Sequence, residues 1–104
     1  MNPEIIKLIN EFREARNWRQ YHNPKDLSLS LSLEAAELLE CFQWLSSEEA
    51  VNKNRQEIAE ELADVFIYGI QLAEEMQFDI EEIIKAKVKK NGEKYLIDHT
   101  NNKH

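Results

Sequence analysis

The sequence predicts an all-α protein, an antiparallel helical bundle assembled as a homo-oligomer. Gly and Pro number only two each among 104 residues. That is too few for the turns of a sandwich or barrel, or for a glycine-rich phosphate loop. Apolar residues make up 42% and charged residues 32%, which is too apolar for a disordered chain. Apolar side chains also recur at helical spacing along most of the length.

The first helix opens with Asn2 as a cap, Pro3 at the first helical position and Glu4 at the positive end of the helix dipole. Ile5, Leu8, Ile9 and Phe12 form its apolar stripe, which fades near Asn17. Residues 18–26 carry Asn-Pro and two aromatics and read as a loop. Leu27, Leu29, Leu31 and Leu33 then alternate with serines, which by period alone is a strand signal. A lone strand has no partner, however, and the run flows without a break into helical sequence up to Leu45. It is therefore assigned to a helix apolar on more than one side.

Ser46 and Glu49 have capping-box spacing, and the chain reads as helical from about Glu48 to Met76, with an interruption around Asn52–Asn54. Asp79 and Glu82 open a last helix through Ile80, Ile83, Ile84 and Val88, which ends at Asn91–Gly92 or carries Lys94 and Tyr95 on one more turn. The result is a single domain over residues 1–95 with a polar tail over 96–104. Val65, Phe66, Ile67, Tyr68, Ile70 and Leu72 surround most of one helix, more apolar surface than so few neighbours cover. A homodimer or homotetramer follows as the expectation.

Thirteen basic against twenty acidic residues leave a net charge of −7, the wrong sign for a nucleic-acid polymer. A single cysteine, Cys41, points away from an oxidising compartment. No apolar run is long enough for a bilayer, and no signal segment is visible, so a cytoplasmic location is expected.

Two acidic doublets are the sharpest feature. Glu34 and Glu37 stand three apart, as do Glu61 and Asp64, so each doublet shares a helix face. Asp64 is the only charged residue between Leu62 and Ala73, and Glu34 and Glu37 lie in LSLEAAELLE beside the apolar stripe. Ionised carboxylates in such settings are costly unless paired or bound to a cation. Antiparallel helices would bring the doublets face to face. Two carboxylates about 6 Å apart repel by roughly 3 kcal/mol at an effective dielectric near 20.

Either basic side chains of the last helix or a divalent metal must then compensate. An all-oxygen donor set suits Mg²⁺ or Mn²⁺. No histidine stands three residues after any of these acids, so a di-iron bundle is not indicated. Such doublets also arise on solvated helix faces in a chain this acidic; Asp64, inside an apolar run, weighs against that reading here.

The segments LSLSLEAAELLECFQW, EELADVFIYGIQLAEE and KVKKNGEKY, with NWRQYHNPKDL ahead of them, closely resemble the all-α nucleoside triphosphate pyrophosphohydrolases of the MazG type, in particular the compact dCTP pyrophosphatase-like branch. The likeness runs from about Ile5 to Tyr95. It implies hydrolysis of a nucleoside triphosphate between the α and β phosphates, with dCTP-like pyrimidines as substrates. It also implies metal ligation by Glu34, Glu37, Glu61 and Asp64, with Glu34 or Glu37 activating water. Bound metal and local cations would then outweigh the net negative charge toward an anionic substrate.

By the same resemblance Trp18, Trp44 and Tyr68 match pocket residues for base and sugar. His22 is a candidate to touch substrate, although an isolated loop histidine is more often a surface residue. Lys87, Asn91 and Lys94 share one helix face suited to phosphates, with Tyr95 beneath them, although lysines near a helix C-terminus also simply favour the helix dipole. One position departs: Ile9 stands where the branch carries a pocket histidine. The competing readings are a non-enzymatic helical adaptor or regulator and a nucleotide-binding sensor without turnover.

Overall fold

A computed structural model describes residues 2–94, except for the side chains of Arg19 and Tyr21. Its elements are α1 (Pro3–Ala15), a 3-10 turn (Trp18–Tyr21), α2 (Pro24–Glu40), α3 (Ser47–Lys53), α4 (Arg55–Glu75) and α5 (Ile80–Lys94). Among the described residues there is no strand, and the Leu-Ser alternation lies within α2. The assignment to helix is correct because the run joins the Glu34–Glu40 segment with no residue to end it.

The caps follow from side-chain chemistry. Asn2 accepts from the Glu4 amide at 2.8 Å and Asn23 from the Asp26 amide at 2.8 Å. Each is followed by Pro at the first helical position. The helix after the Asn-Pro step therefore starts at Pro24, three residues before the expected Leu27. Ser46 and Glu49 form the reciprocal capping box. Asn54 divides α3 from α4 as the polar cluster foretold, and its side-chain amide donates to the Cys41 carbonyl at 2.7 Å. That bond ties the end of α2 to the start of α4.

A further boundary differs from the sequence reading. α2 ends at Glu40, and residues 41–45 form a turn in which Trp44 takes a left-handed φ of 66°. Asn17 and Gln77 adopt the same backbone region after α1 and α4, at φ 55° and 58°. Non-glycine residues thus provide the left-handed positions that glycine more often fills near helix ends. α5 runs past Asn91–Gly92 to Lys94, the further turn that the sequence reading left open. The expected polar tail lies outside the described residues.

α2 and α4 make the main helix pair. Cys41 meets Asn54 at one end of it and the two acidic doublets meet further along, so the pair is antiparallel. Leu27, Ile9, Ile70 and Ala73 are buried at the junction of α1, α2 and α4. Arg13 is fully buried there, its guanidinium 2.8 Å from Glu75.

The core of a single chain is small. Leu29, Leu33 and Leu39 on α2, Phe66 on α4, and Ile84 and Val88 on α5 are all more than half exposed. α5 has no substantial contact with another helix, so its apolar stripe is open instead of packed into the bundle. The radius of gyration, 16.9 Å, exceeds the roughly 13 Å of a compact chain of this length. No helix among the described residues is long and apolar enough to cross a membrane.

Candidate functional site

Helix geometry builds the site. Glu34 lies in the middle of α2, and Glu61 and Asp64 lie one turn apart on the α4 face that packs against it. One carboxylate oxygen from each of Glu34, Glu61 and Asp64 falls within 4.8 Å of the others. Glu37 completes the cluster, through proton-sharing contacts and charge felt by both Glu34 and Glu61. The structure therefore brings all four predicted acids into one electrostatic unit, three of them at metal-ligating separation.

The electrostatics are those of a site short of positive charge. Burial pushes the Glu34 carboxyl up to about 7, helped by a hydrogen bond to Glu37 and by the charges of Glu37, Asp64 and Glu61. Glu61 is also raised, first by burial and then by Glu37 and Asp64, against an opposing hydrogen bond from Glu34. Glu34 Oε2 and Glu61 Oε2 are buried without a hydrogen-bond partner among the described residues. The described ion pairs, Lys7–Glu11 and Arg13–Glu75, do not touch these acids. Orphaned oxygens converging with no described basic partner are the donor set that a hard divalent cation satisfies.

Asp64 also lines a pocket of about 420 Å³ that runs along α4 between it and α1. Leu8, Ile9, Phe12 and Ile67 give it apolar walls, and Trp18, His22, Tyr68 and Gln71 complete it. Phe12 and Trp18 pack edge to face with ring centres 5.4 Å apart, and the Arg16 guanidinium lies over the Phe12 ring at 3.6 Å. Burial, with the charges of Glu34, Asp64 and Glu37, raises the Tyr68 phenol, which keeps it protonated beside the acids.

His22 is fixed from behind. Arg13 Nε donates to His22 Nδ1 at 3.0 Å, so the ring is neutral and carries its proton on Nε2. Burial, with Arg13, lowers the His22 pKa, against an opposing effect of Glu75.

Of the residues singled out in the sequence, Trp18, His22 and Tyr68 gather around this pocket with Asp64. Trp44 does not: it stands 97% exposed in the turn after α2. Lys87, Asn91 and Lys94 lie on exposed α5, none of them lining the pocket, and Tyr95 falls outside the described residues. Ile9, the departure from the family pattern, is part of the pocket wall. Sequence reasoning missed Arg13, Phe12 and Gln71. The signal for Gln71 was present, since it is the one strongly polar side chain between Val65 and Ala73 and lies seven residues after Asp64.

A helical bundle with a carboxylate cluster beside an aromatic pocket defines a class that comparison with known proteins makes specific. The MazG-like family model matches residues 29–104, and the chain belongs to that family. It is 37% identical over 99 residues to mouse dCTP pyrophosphatase 1, covering 90% of this chain and 58% of that protein. The human protein of the same name is 35% identical over 97 residues, covering 88% and 57%. The chain thus spans less than two thirds of the length of these curated relatives. The crystal structure of a pyrophosphatase from Archaeoglobus fulgidus superposes with a TM-score of 0.85 at 42% identity, covering 90% of this chain and 91% of that one.

Proposed function

We propose that this chain is a nucleoside triphosphate pyrophosphohydrolase. It cleaves between the α and β phosphates to give a monophosphate and pyrophosphate, with dCTP-like pyrimidine deoxynucleotides as substrates and sanitation of the nucleotide pool as its role. The observation that carries this reading is the position of Asp64, shared by a cluster of carboxylates and a pocket with aromatic walls. One end suits a cation-bound polyphosphate and the other a base. The likeness to the mouse and human dCTP pyrophosphatases and to the archaeal pyrophosphatase supports the same reaction class.

Glu34, Glu37, Glu61 and Asp64 would hold Mg²⁺ or Mn²⁺, which fits their all-oxygen donor set and the unpartnered Glu34 and Glu61 oxygens. Such an ion, when bound, offsets phosphate charge and makes water a better nucleophile. The chain's own residues do the rest. Glu34 or Glu37 orients the attacking water and takes its proton. Trp18 and Tyr68 flank base and sugar, and His22 touches substrate. The working form is a cytoplasmic homodimer or homotetramer, which would cover the open apolar faces of α2, α4 and α5.

The test is incubation with each ribo- and deoxynucleoside triphosphate, with Mg²⁺ or with chelator, and separation of the products. Equal amounts of monophosphate and pyrophosphate are expected only with metal. Asp64→Ala should lower the rate roughly a hundredfold or more while the helical circular dichroism signal persists. No monophosphate from any triphosphate in the presence of metal would overturn the proposal.

A further inference from the structure

Gln71 is an anomaly in the pocket wall. It is only 4% exposed, yet its carboxamide oxygen has no hydrogen-bond partner among the described residues. Burying an amide oxygen in this way is unfavourable, and native structures reserve such groups for a ligand, a water or strain. Apart from Asp64 and His22, the residues that line the pocket with it are apolar or aromatic, Ile9, Ile67 and Tyr68 among them.

Gln71 lies seven residues beyond Asp64 on α4, which places it about 10 Å further along the helix at 1.5 Å per residue. That is close to the length of a nucleoside. With the phosphates at the acidic cluster, the far edge of the base arrives at Gln71. The substituent that protrudes there on a pyrimidine is the group at position 4. On cytosine this is an amine, a donor that satisfies the orphaned oxygen. On uracil or thymine it is a carbonyl, whose lone pairs face another acceptor.

We infer that Gln71 reads the base, accepting a hydrogen bond from an exocyclic amine and so selecting amino-pyrimidine over oxo-pyrimidine nucleotides. This deepens the proposed function and rests on it for the orientation of the nucleotide. His22 supplies a second fixed polarity, since Arg13 occupies its Nδ1 and leaves Nε2 as a donor for the acceptors of the same base. A site built around one hydrogen bond discriminates chiefly by leaving its own buried group unpaired with the wrong ligand.

The experiment compares dCTP with dUTP, which differ at position 4 and in protonation of the adjacent ring nitrogen. It measures kcat/KM with Mg²⁺, and in parallel the calorimetric affinity for the products dCMP and dUMP. Wild type should favour the cytosine member of each pair by about tenfold or more. Gln71→Leu and Gln71→Met, of similar volume and checked for folding by circular dichroism, should bring both ratios close to one.

A wild-type chain that treats dCMP and dUMP alike, or binds neither, overturns the inference whether or not the variants fold. Retention of the tenfold ratio in either folded variant overturns it as well. Should wild type cleave no triphosphate yet bind dCMP with a Gln71-dependent preference, the inference stands and the hydrolase reading alone fails.

Discussion

The carboxylate cluster makes a prediction whose sign is opposite to the usual effect of mutating a half-buried residue inside a packed helix pair. Glu34→Gln keeps the shape and removes the charge. In the metal-free protein the Glu34 carboxyl is raised from 4.5 to about 7, which at 1.36 kcal/mol per unit corresponds to about 3 kcal/mol. Solvent screening at a partly exposed side chain reduces this to roughly 1–2 kcal/mol. The folded state therefore holds the Glu34 proton more tightly than the unfolded chain does. The penalty is complete above pH 7, shrinks as pH falls through the window from 7 to 4.5, and is absent below it.

Thermal melting with chelator at pH 8 should accordingly place Glu34→Gln roughly 4–16 °C above wild type, at 4–8 °C per kcal/mol for a domain of this size. The increment should be much smaller at pH 5 and gone at pH 4. Adding Mg²⁺ at about a hundred times its dissociation constant stabilises wild type by about 2.7 kcal/mol. The variant, lacking one ligand oxygen charge, gains much less, and the order of the melting temperatures reverses. A variant that melts at or below the wild-type temperature at pH 8 without metal refutes the argument that these acids crowd one another.

Two further outcomes test the scaffold. Glu75→Ala strands the fully buried Arg13 guanidinium and should lower unfolding free energy by about 3 kcal/mol in urea titrations; a loss below about 1 kcal/mol contradicts the importance of that pair. Sedimentation at micromolar concentration should give a dimer or tetramer, with Phe66 and Leu33 among the exposed side chains available for burial; a monodisperse monomer contradicts assembly.

Helix identity was legible because it is local. Asn2-Pro3, Asn23-Pro24, Ser46 with Glu49, and the polar break at Asn54 act through bonds to residues within a turn or two, so sequence neighbours reveal them. The position of Trp44 was not legible, because nothing local told that α2 would end at Glu40 and turn its aromatic outward.

By itself the sequence determined that the chain is helical, that the two doublets would each occupy one helix face, and that Asp64 would stand amid apolar neighbours. Those properties depend on a period of 3.6 residues and on composition. Only the tertiary structure decided that α2 and α4 would cross so that Glu34 meets Glu61 and Asp64, and that Arg13 would reach His22 and Glu75. It alone left the Gln71 oxygen without a partner inside a pocket. These are relations between residues far apart in the chain. They are set by which faces pack, and no local spacing encodes them.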